Sequence, residues 1–270
     1  QLITKGNGPG EMFSCALGLH SNASDNFYLQ DSNSKTCYIV DLKTLLNSRR
    51  FVPDEQFRYS SEVLPTSDLC LLDDNRYIGY HMWYLDDKQF SKVDSPLGYY
   101  QKGEDSGKGM DDFPFFVASV NGARLFKNPQ TQELWTADMH RDAIRIYNDS
   151  LKQIRELVGP DHFSPEYTRR QIDAPVAFVT FADECDYQAY TDYYITDKHI
   201  YLLYEGNKHF DMKNLSPVEI FKLDFDGNLL CNYKPDRYVY SISINRKEDT
   251  LYCASRSSVM EPPVILKYKL

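Results

Sequence analysis

Short runs of alternating apolar and polar residues recur along this 270-residue chain, and sustained helical periodicity is scarce. The best helical pattern is SLKQIRELVG from Ser150, where Leu151, Ile154 and Val158 share a helical face. It directly follows IRIYNDS, so it reads equally as the return arm of a hairpin. Strand signals recur in register: FYLQD from Phe27, YIGYH from Tyr77, LWTAD from Leu134, IYLLY from Ile200 and LYCAS from Leu251. Each precedes a second apolar run, namely CYIVDL, FSKVD, AIRIYN, VEIFKLDF and VILKYKL. In KLDFDGNLL, Asp226-Gly227-Asn228 marks a tight hairpin turn.

The starts are separated by 50, 57, 66 and 51 residues. A period near fifty with several short strands per unit predicts an all-β protein, a single β-propeller of four-stranded antiparallel blades. The longer intervals contain two stretches that read as insertions: SPLGYYQKGEDSGKGMDD (95–112), expected to be mobile, and the segment from Gly159 to about Asp173, with Pro160 and Pro165 as breakers. Neither reads as a linker, so residues 1–270 are expected to form one domain. VILKYKL and QLIT then suit pairing of the C- and N-terminal strands to close the ring.

The segment GNGPGE, Gly6 to Glu11, raises a choice between phosphate cradle and turn. Its glycines alternate, no third glycine opens a helix, and Glu11 stands where a cation is wanted, so it reads as a turn. Gly8 and Gly10 accept positive φ and Pro9 fixes the backbone between them.

Composition narrows this picture. The apolar share is 42%, the aromatic share is 14% with 21 Tyr and 15 Phe, and no run is long enough for a transmembrane helix. A net charge of −9 argues against nucleic acid as a partner. Of six cysteines, Cys37, Cys70, Cys231 and Cys253 lie in strand-like runs and no C-x-x-C pair occurs. They are expected to be reduced and structural, with no metal site. The chain opens on Gln, which leaves a removed leader open.

With repeat and turn in place, the chain resembles the TolB-like six-bladed β-propeller family of envelope proteins from gut Gram-negative bacteria. Gly6-Asn7-Gly8-Pro9-Gly10-Glu11 matches the G-x-G-P-G-E segment that precedes that family's first blade, and NFYLQDSNSKTCYIVD and ELWTADMHRDAIRIYND are similar to NHL-type blade repeats. The resemblance implies six blades where five cores are visible, so five-bladed is the alternative. It also implies an extracytoplasmic location, periplasmic or as an outer-membrane lipoprotein anchored upstream, and no established activity.

Propellers bind ligands at the mouths of the central channel. Aligning the repeats puts Asp31, His81, Asp138, Tyr204 and Ser255 at the end of one core strand, followed by Met82, Met139, Glu205 and Arg256. TADMHRDAIR adds His140 and Arg141, and YHMWYLDD adds Trp83, a ring able to stack on a sugar. Asp at a strand end also serves turns, the plainer explanation of any one of these. FADECDYQAYTD, with Asp183, Glu184, Asp186 and Asp192, is oxygen-rich as calcium sites are, but its spacing matches no EF-hand loop; it reads as a solvated acidic loop, and no cofactor is expected, with calcium the alternative. The reading is therefore a binding or interaction module taking an envelope protein or a glycan. The alternative is a glycan hydrolase or lyase using Asp138 with His140 as proton carrier.

Overall fold

The computed structural model describes residues 4–6, 11–12, 15–18, 26–31, 36–48, 51–58, 68–73, 76–80, 88–94, 97–102, 122–165, 167–171, 177–181, 188–207, 215–258 and 261–270. By contacts the chain forms two compact units, Gln1–Ala118 and Ser119–Leu270.

The N-terminal unit opens with a short parallel pair, β1 (Thr4–Lys5) and β2 (Glu11–Met12). The Gly6 N–H donates to the Met12 carbonyl at 3.2 Å. Residues 7–10 lie outside the described residues. Two four-stranded antiparallel sheets follow. The first comprises β3 (Cys15–Gly18), β4 (Asn26–Asp31), β5 (Thr36–Asp41) and β6 (Glu55–Arg58); the second comprises β7 (Asp68–Asp73), β8 (Arg76–Tyr80), β9 (Lys88–Asp94) and β10 (Leu97–Lys102). β10 lies inside the stretch expected to be a mobile insertion. The stretch instead starts with a fourth strand, because Leu97–Lys102 finds ladder partners on β9.

One helix, α1 (Leu42–Ser48), leaves β5. Asp41 caps it: its Oδ1 accepts the Thr44 N–H at 2.7 Å, which holds the carboxyl below the usual range. Leu45 is its buried residue. The helix candidate from Ser150 proves to be the hairpin arm instead.

The C-terminal unit contains a four-stranded sheet of β11 (Ala123–Lys127), β12 (Leu134–Asp138), β13 (Ala143–Tyr147) and β14 (Gln153–Val158), then the pair β15 (Tyr167–Gln171) and β16 (Ala177–Phe181). The pair starts within the second expected insertion. A four-stranded sheet of β17 (Gln188–Ile195), β18 (Ile200–Asn207), β19 (Glu219–Leu223) and β20 (Leu229–Tyr233) follows. Last comes a three-stranded sheet of β21 (Val239–Ile244), β22 (Thr250–Ser255) and β23 (Val264–Lys269). All five runs aligned from sequence fall on second strands, β4, β8, β12, β18 and β22, and each following run falls on the third. These are the antiparallel blades of a propeller.

Apolar side chains from facing sheets fill the spaces between them. Trp135, Phe126, Tyr193 and Leu202 belong to one buried cluster, and Tyr201, Leu203, Ile220 and Ile242 to the next. Trp135 is thus core. The four cysteines read as structural are free thiols, with Cys37, Cys70 and Cys253 buried. Burial pushes the thiols of Cys37 and Cys253 up to about 12, which leaves them unreactive at neutral pH.

Four hairpins of this unit share one turn design. The residue just after the strand turns its side-chain oxygen onto backbone N–H groups two to five residues ahead: Asn128 to Gln130 and Thr131, Asn148 to Ser150 and Lys152, Asp224 to Asp226 and Asn228, Asn245 to Asp249 and Thr250. A residue with positive φ then brings the chain back: Gln132, Leu151, Gly227 and Glu248. Only one of these is glycine. Replacing the exposed Gln132 (φ 64°) by glycine removes a left-handed strain of about 1–2 kcal/mol against a backbone entropy cost of about 0.5–1 kcal/mol. Denaturant unfolding of Gln132→Gly should show a gain of about 0.5 kcal/mol; a loss would mean that the turn does not carry the strain.

Candidate functional site

The second strands end at the residues singled out from sequence. Asp31, Asp138 and Ser255 are the last residues of β4, β12 and β22, and Tyr204 and Glu205 lie near the end of β18. His81 and Trp83 lie outside the described residues, as do Asp183, Glu184 and Asp186. Asp31, Asp138, Ser255, Tyr204 and Glu205 are all buried. Asp31 belongs to the N-terminal unit; the others are in the C-terminal unit.

Asp138 is an anchor. Its Oδ2 accepts Arg141 at 3.0 Å and pairs with Arg145 at 3.3 Å, and Arg145 also reaches Glu156 at 3.6 Å. A carboxylate held by two guanidiniums is a poor proton acceptor, while Arg141, the partly exposed member, presents a cation at the surface. The loop carrying Arg141 and His140 is pinned: Met139 N–H donates to the Gly122 carbonyl and Met139 O accepts Ala189 N–H, both at 2.7 Å. Asp142 closes that loop. Its Oδ2 accepts the N–H groups of Asp161 and His162 at 2.6 and 2.9 Å, and its Oδ1 accepts the Tyr190 hydroxyl at 3.1 Å. Sequence reasoning named the Asp142 loop but missed this staple, because Asp161, His162 and Tyr190 lie far along the chain.

Tyr204 and Glu205 face opposite sides of β18, as successive strand residues do. The Tyr204 hydroxyl donates to Asp161 Oδ2 at 2.7 Å and its ring packs on Tyr190, beside the Asp142 staple. Glu205 instead meets the last sheet, where Tyr238 donates to its Oε1 at 3.2 Å. Its Oε2 is buried with no hydrogen-bond partner. The Thr191 hydroxyl stands close enough to favour the charged carboxyl, yet outside hydrogen-bonding geometry. Burial dominates and raises the Glu205 pKa above the usual carboxylate range. Ser255 donates to the Tyr238 carbonyl at 2.7 Å, and the guanidinium of Arg256 lies 5.2 Å from the Tyr240 ring centroid. The nearby Asp192, also raised by burial, accepts the Ile242 N–H at 2.8 Å and so joins β17 to β21. Among the described residues no three His, Cys, Asp or Glu side chains gather as a metal site.

A raised folded-state pKa stabilises the protein below the unfolded-state value, and that contribution is lost as pH rises through the folded value. Glu205→Gln, which keeps the acceptor for Tyr238 without the charge, should therefore melt higher than the native chain at pH 8. The difference should vanish at or below about pH 4, near the unfolded value. A pH-independent difference would mean that the charge is not the cause.

Among the described residues no helix is long and apolar enough to cross a membrane. No match to a curated protein was found. A solved member of the DUF4221 family from Bacteroides vulgatus is similar at TM-score 0.53 and 9% identity, over 92% of this chain and 76% of that one. A putative exported protein from Bacteroides fragilis is similar at 0.49 and 14% identity, over 94% and 70%. The extracellular domain of a putative one component system from B. thetaiotaomicron is similar at 0.44 and 10% identity, over 87% of this chain; this chain spans about a quarter of that one, 26%. The family model "TolB-like 6-blade propeller-like" matches residues 1–247, and the blade-type sheets above agree with it: the chain belongs to the TolB-like propeller family.

Proposed function

We propose that this protein is a non-enzymatic binding module of the cell envelope, taking a glycan or a protein partner where the second strands of the C-terminal unit's sheets end. The observation that supports this most is the concentration of buried charge at those ends. Asp138 and Glu205, 1% and 7% exposed, lie at or near the ends of two second strands; the partly exposed Arg141 pairs with Asp138, and the partly exposed Arg256 directly follows the end of a third, β22. Buried ionisable groups are costly, and they concentrate where ligands are held. An extracytoplasmic location fits the family resemblance, with periplasm and lipid-anchored outer membrane the two settings. The pairing of Asp138 with Arg141 and Arg145 favours binding over acid–base catalysis, since it holds the carboxylate ionised and oriented.

The test is thermal unfolding and calorimetry of the chain against a panel of bacterial and host oligosaccharides, divalent cations and purified envelope proteins. A ligand at 100 times its dissociation constant adds about 2.7 kcal/mol to stability. The expected result is binding that weakens in Arg141→Ala or Arg256→Ala, with the oligosaccharide recovered intact. Turnover of an oligosaccharide, or binding indifferent to both variants, overturns the proposal.

A further inference from the structure

The last sheet is one strand short of the complete ones. In the four-stranded sheets of the C-terminal unit the third strands are interior: all five residues of β13 are buried, and so are three of the five in β19. Their fourth strands, β14 and β20, take the exposed outer position. β23 is a third strand by order, yet among the described residues it pairs with β22 alone and carries the exposure of an outer strand. Val264 and Ile265 are 46% and 71% exposed. Its sequence, VILKYK, is nonetheless as apolar as AIRIY of β13 or EIFKL of β19. A strand of interior composition thus presents a row of unpaired backbone N–H and C=O groups. Charge is unmatched there as well. In the complete sheets a charged residue of the third strand meets its opposite on or just after the fourth: Arg145 reaches Glu156 at 3.6 Å, and Glu219 reaches Lys234 at 2.7 Å. On β23 the exposed Lys267 and Lys269 meet no carboxylate among the described residues, and Lys267 Nζ lies 5.9 Å from the Tyr252 ring centroid.

We propose that the open edge of β23 is a docking site for an extended acidic segment of a partner protein, which adds antiparallel to β23 as a fourth strand. In strand addition the backbone bonds supply affinity and the alternate side chains supply the choice of partner. Ile265, Lys267 and Lys269 share one face of the strand, while Leu266 and Tyr268 share the other and pack against the buried cluster of the last two sheets. The complementary strand therefore places carboxylates opposite the two lysines and small apolar residues opposite Ile265, Leu266 and Tyr268. Opposite charges directly across a ladder attract and like charges repel, so the lysines set the sign of the partner. They also argue against a second copy of this chain. β23 contains no acidic residue, and edge-to-edge pairing of two copies brings four lysines into one short ladder without a carboxylate. The surface goes beyond the reading above, since it requires neither Arg141 nor Arg256.

Two fluorescently labelled peptides test the edge by anisotropy: Glu-Val-Glu-Val-Val-Thr, whose order runs antiparallel to β23 from Lys269 to Val264, and its counterpart Lys-Val-Lys-Val-Val-Thr. The acidic peptide is expected to bind about tenfold or more tightly than the lysine peptide. The double variant Lys267→Glu/Lys269→Glu, changed only at exposed positions, should invert that order. Hydrogen exchange read residue by residue by NMR locates the contact. Alternate amides of β23 point away from β22, exchange fast in the chain alone and should slow when the acidic peptide is bound. No binding of the acidic peptide, equal affinity for both peptides, an order unchanged in the double variant, or slowed exchange only outside residues 264–269 overturns the proposal. So does slow exchange of those outward amides in the dilute chain alone, which would mean that its own residues occupy the edge. Slowing that grows with protein concentration would assign the edge to a second copy and overturns it equally.

Discussion

Gly159→Ala is expected to destabilise the protein by about 3–5 kcal/mol, read as a drop in the denaturant midpoint. The cause is space. A Cβ at this position falls on the Asp142 carboxylate, 2.6 Å from its Cγ and 2.6 Å from the Tyr190 hydroxyl oxygen. A free surface carboxylate would swing away, but this one is buried and receives two backbone N–H groups and a phenol. Moving it leaves a buried charge short of partners, and the segment from Gly159 to Phe163 loses its tether. Gly159 N–H also donates to the Asp142 carbonyl, and Asp142 N–H to the Phe163 carbonyl, so backbone and side chain bind the same segment. The double variant Gly159→Ala/Asp142→Ala should cost less than the sum of the single variants, because the clash disappears with the carboxylate. Strict additivity would show that the two residues act separately.

Glu248→Ala should cost about 3 kcal/mol. The side chain of Glu248 is 6% exposed and gathers four partners: the Thr196 hydroxyl, His199 Nδ1 at 2.5 Å, the Tyr201 hydroxyl at 3.3 Å and Lys222 Nζ at 3.3 Å. These come from the sheet of β17 to β20, while Glu248 stands in the β21–β22 turn, so one carboxylate ties two sheets together. Burial pushes its pKa up, but the bonds from Thr196, His199 and Lys222 outweigh this and hold it below the usual range. A lowered folded-state pKa gives stability that is present above the unfolded value and lost as pH falls through the folded one. The deficit of Glu248→Ala relative to the native chain should therefore shrink below about pH 4. Glu248 also has φ 57°, so Glu248→Gly should recover about 1 kcal/mol of the loss seen with alanine. Equal losses in both variants would mean that the backbone there is unstrained.

The two residues also show where sequence reasoning stops. Strand identity was legible: alternation and spacing placed all five second strands, since each pattern is carried by neighbouring residues. Asp226-Gly227-Asn228 was read correctly because its turn bonds are local, from Asp224 to Asp226 and Asn228. α1 escaped notice because seven residues show little periodicity, although Asp41 three positions before Thr44 was a usable cap signal. SLKQIRELVG looked as helical as it looked extended, and the Asn148 turn with Leu151 at positive φ decides for the strand. β10 hid in a polar stretch because its pairing with β9, and not its own pattern, makes it a strand.

The site was legible in place and not in detail. The repeat put Asp138, Tyr204 and Ser255 at strand ends, yet only the pleat separates Tyr204 and Glu205 onto opposite faces. The partners of Glu248 lie 26 to 52 residues away and meet it only when two hairpins pack together. Its sequence context, NRKEDT, shows a charged turn and nothing more.

The meander of each sheet bears on how the chain acquires its structure. Within every sheet of three or four strands, each strand pairs with its neighbour in sequence, and the fourth sheet is complete between Gln188 and Tyr233. Closing such hairpins needs only short loops, so the entropy lost before pairing begins is small. Local connectivity of this kind lowers contact order and speeds folding compared with sandwiches of similar strand content. The sheets can therefore form one after another as the polypeptide emerges from the ribosome, and inter-sheet ties such as Glu248 with His199 come last, when both partners have been made.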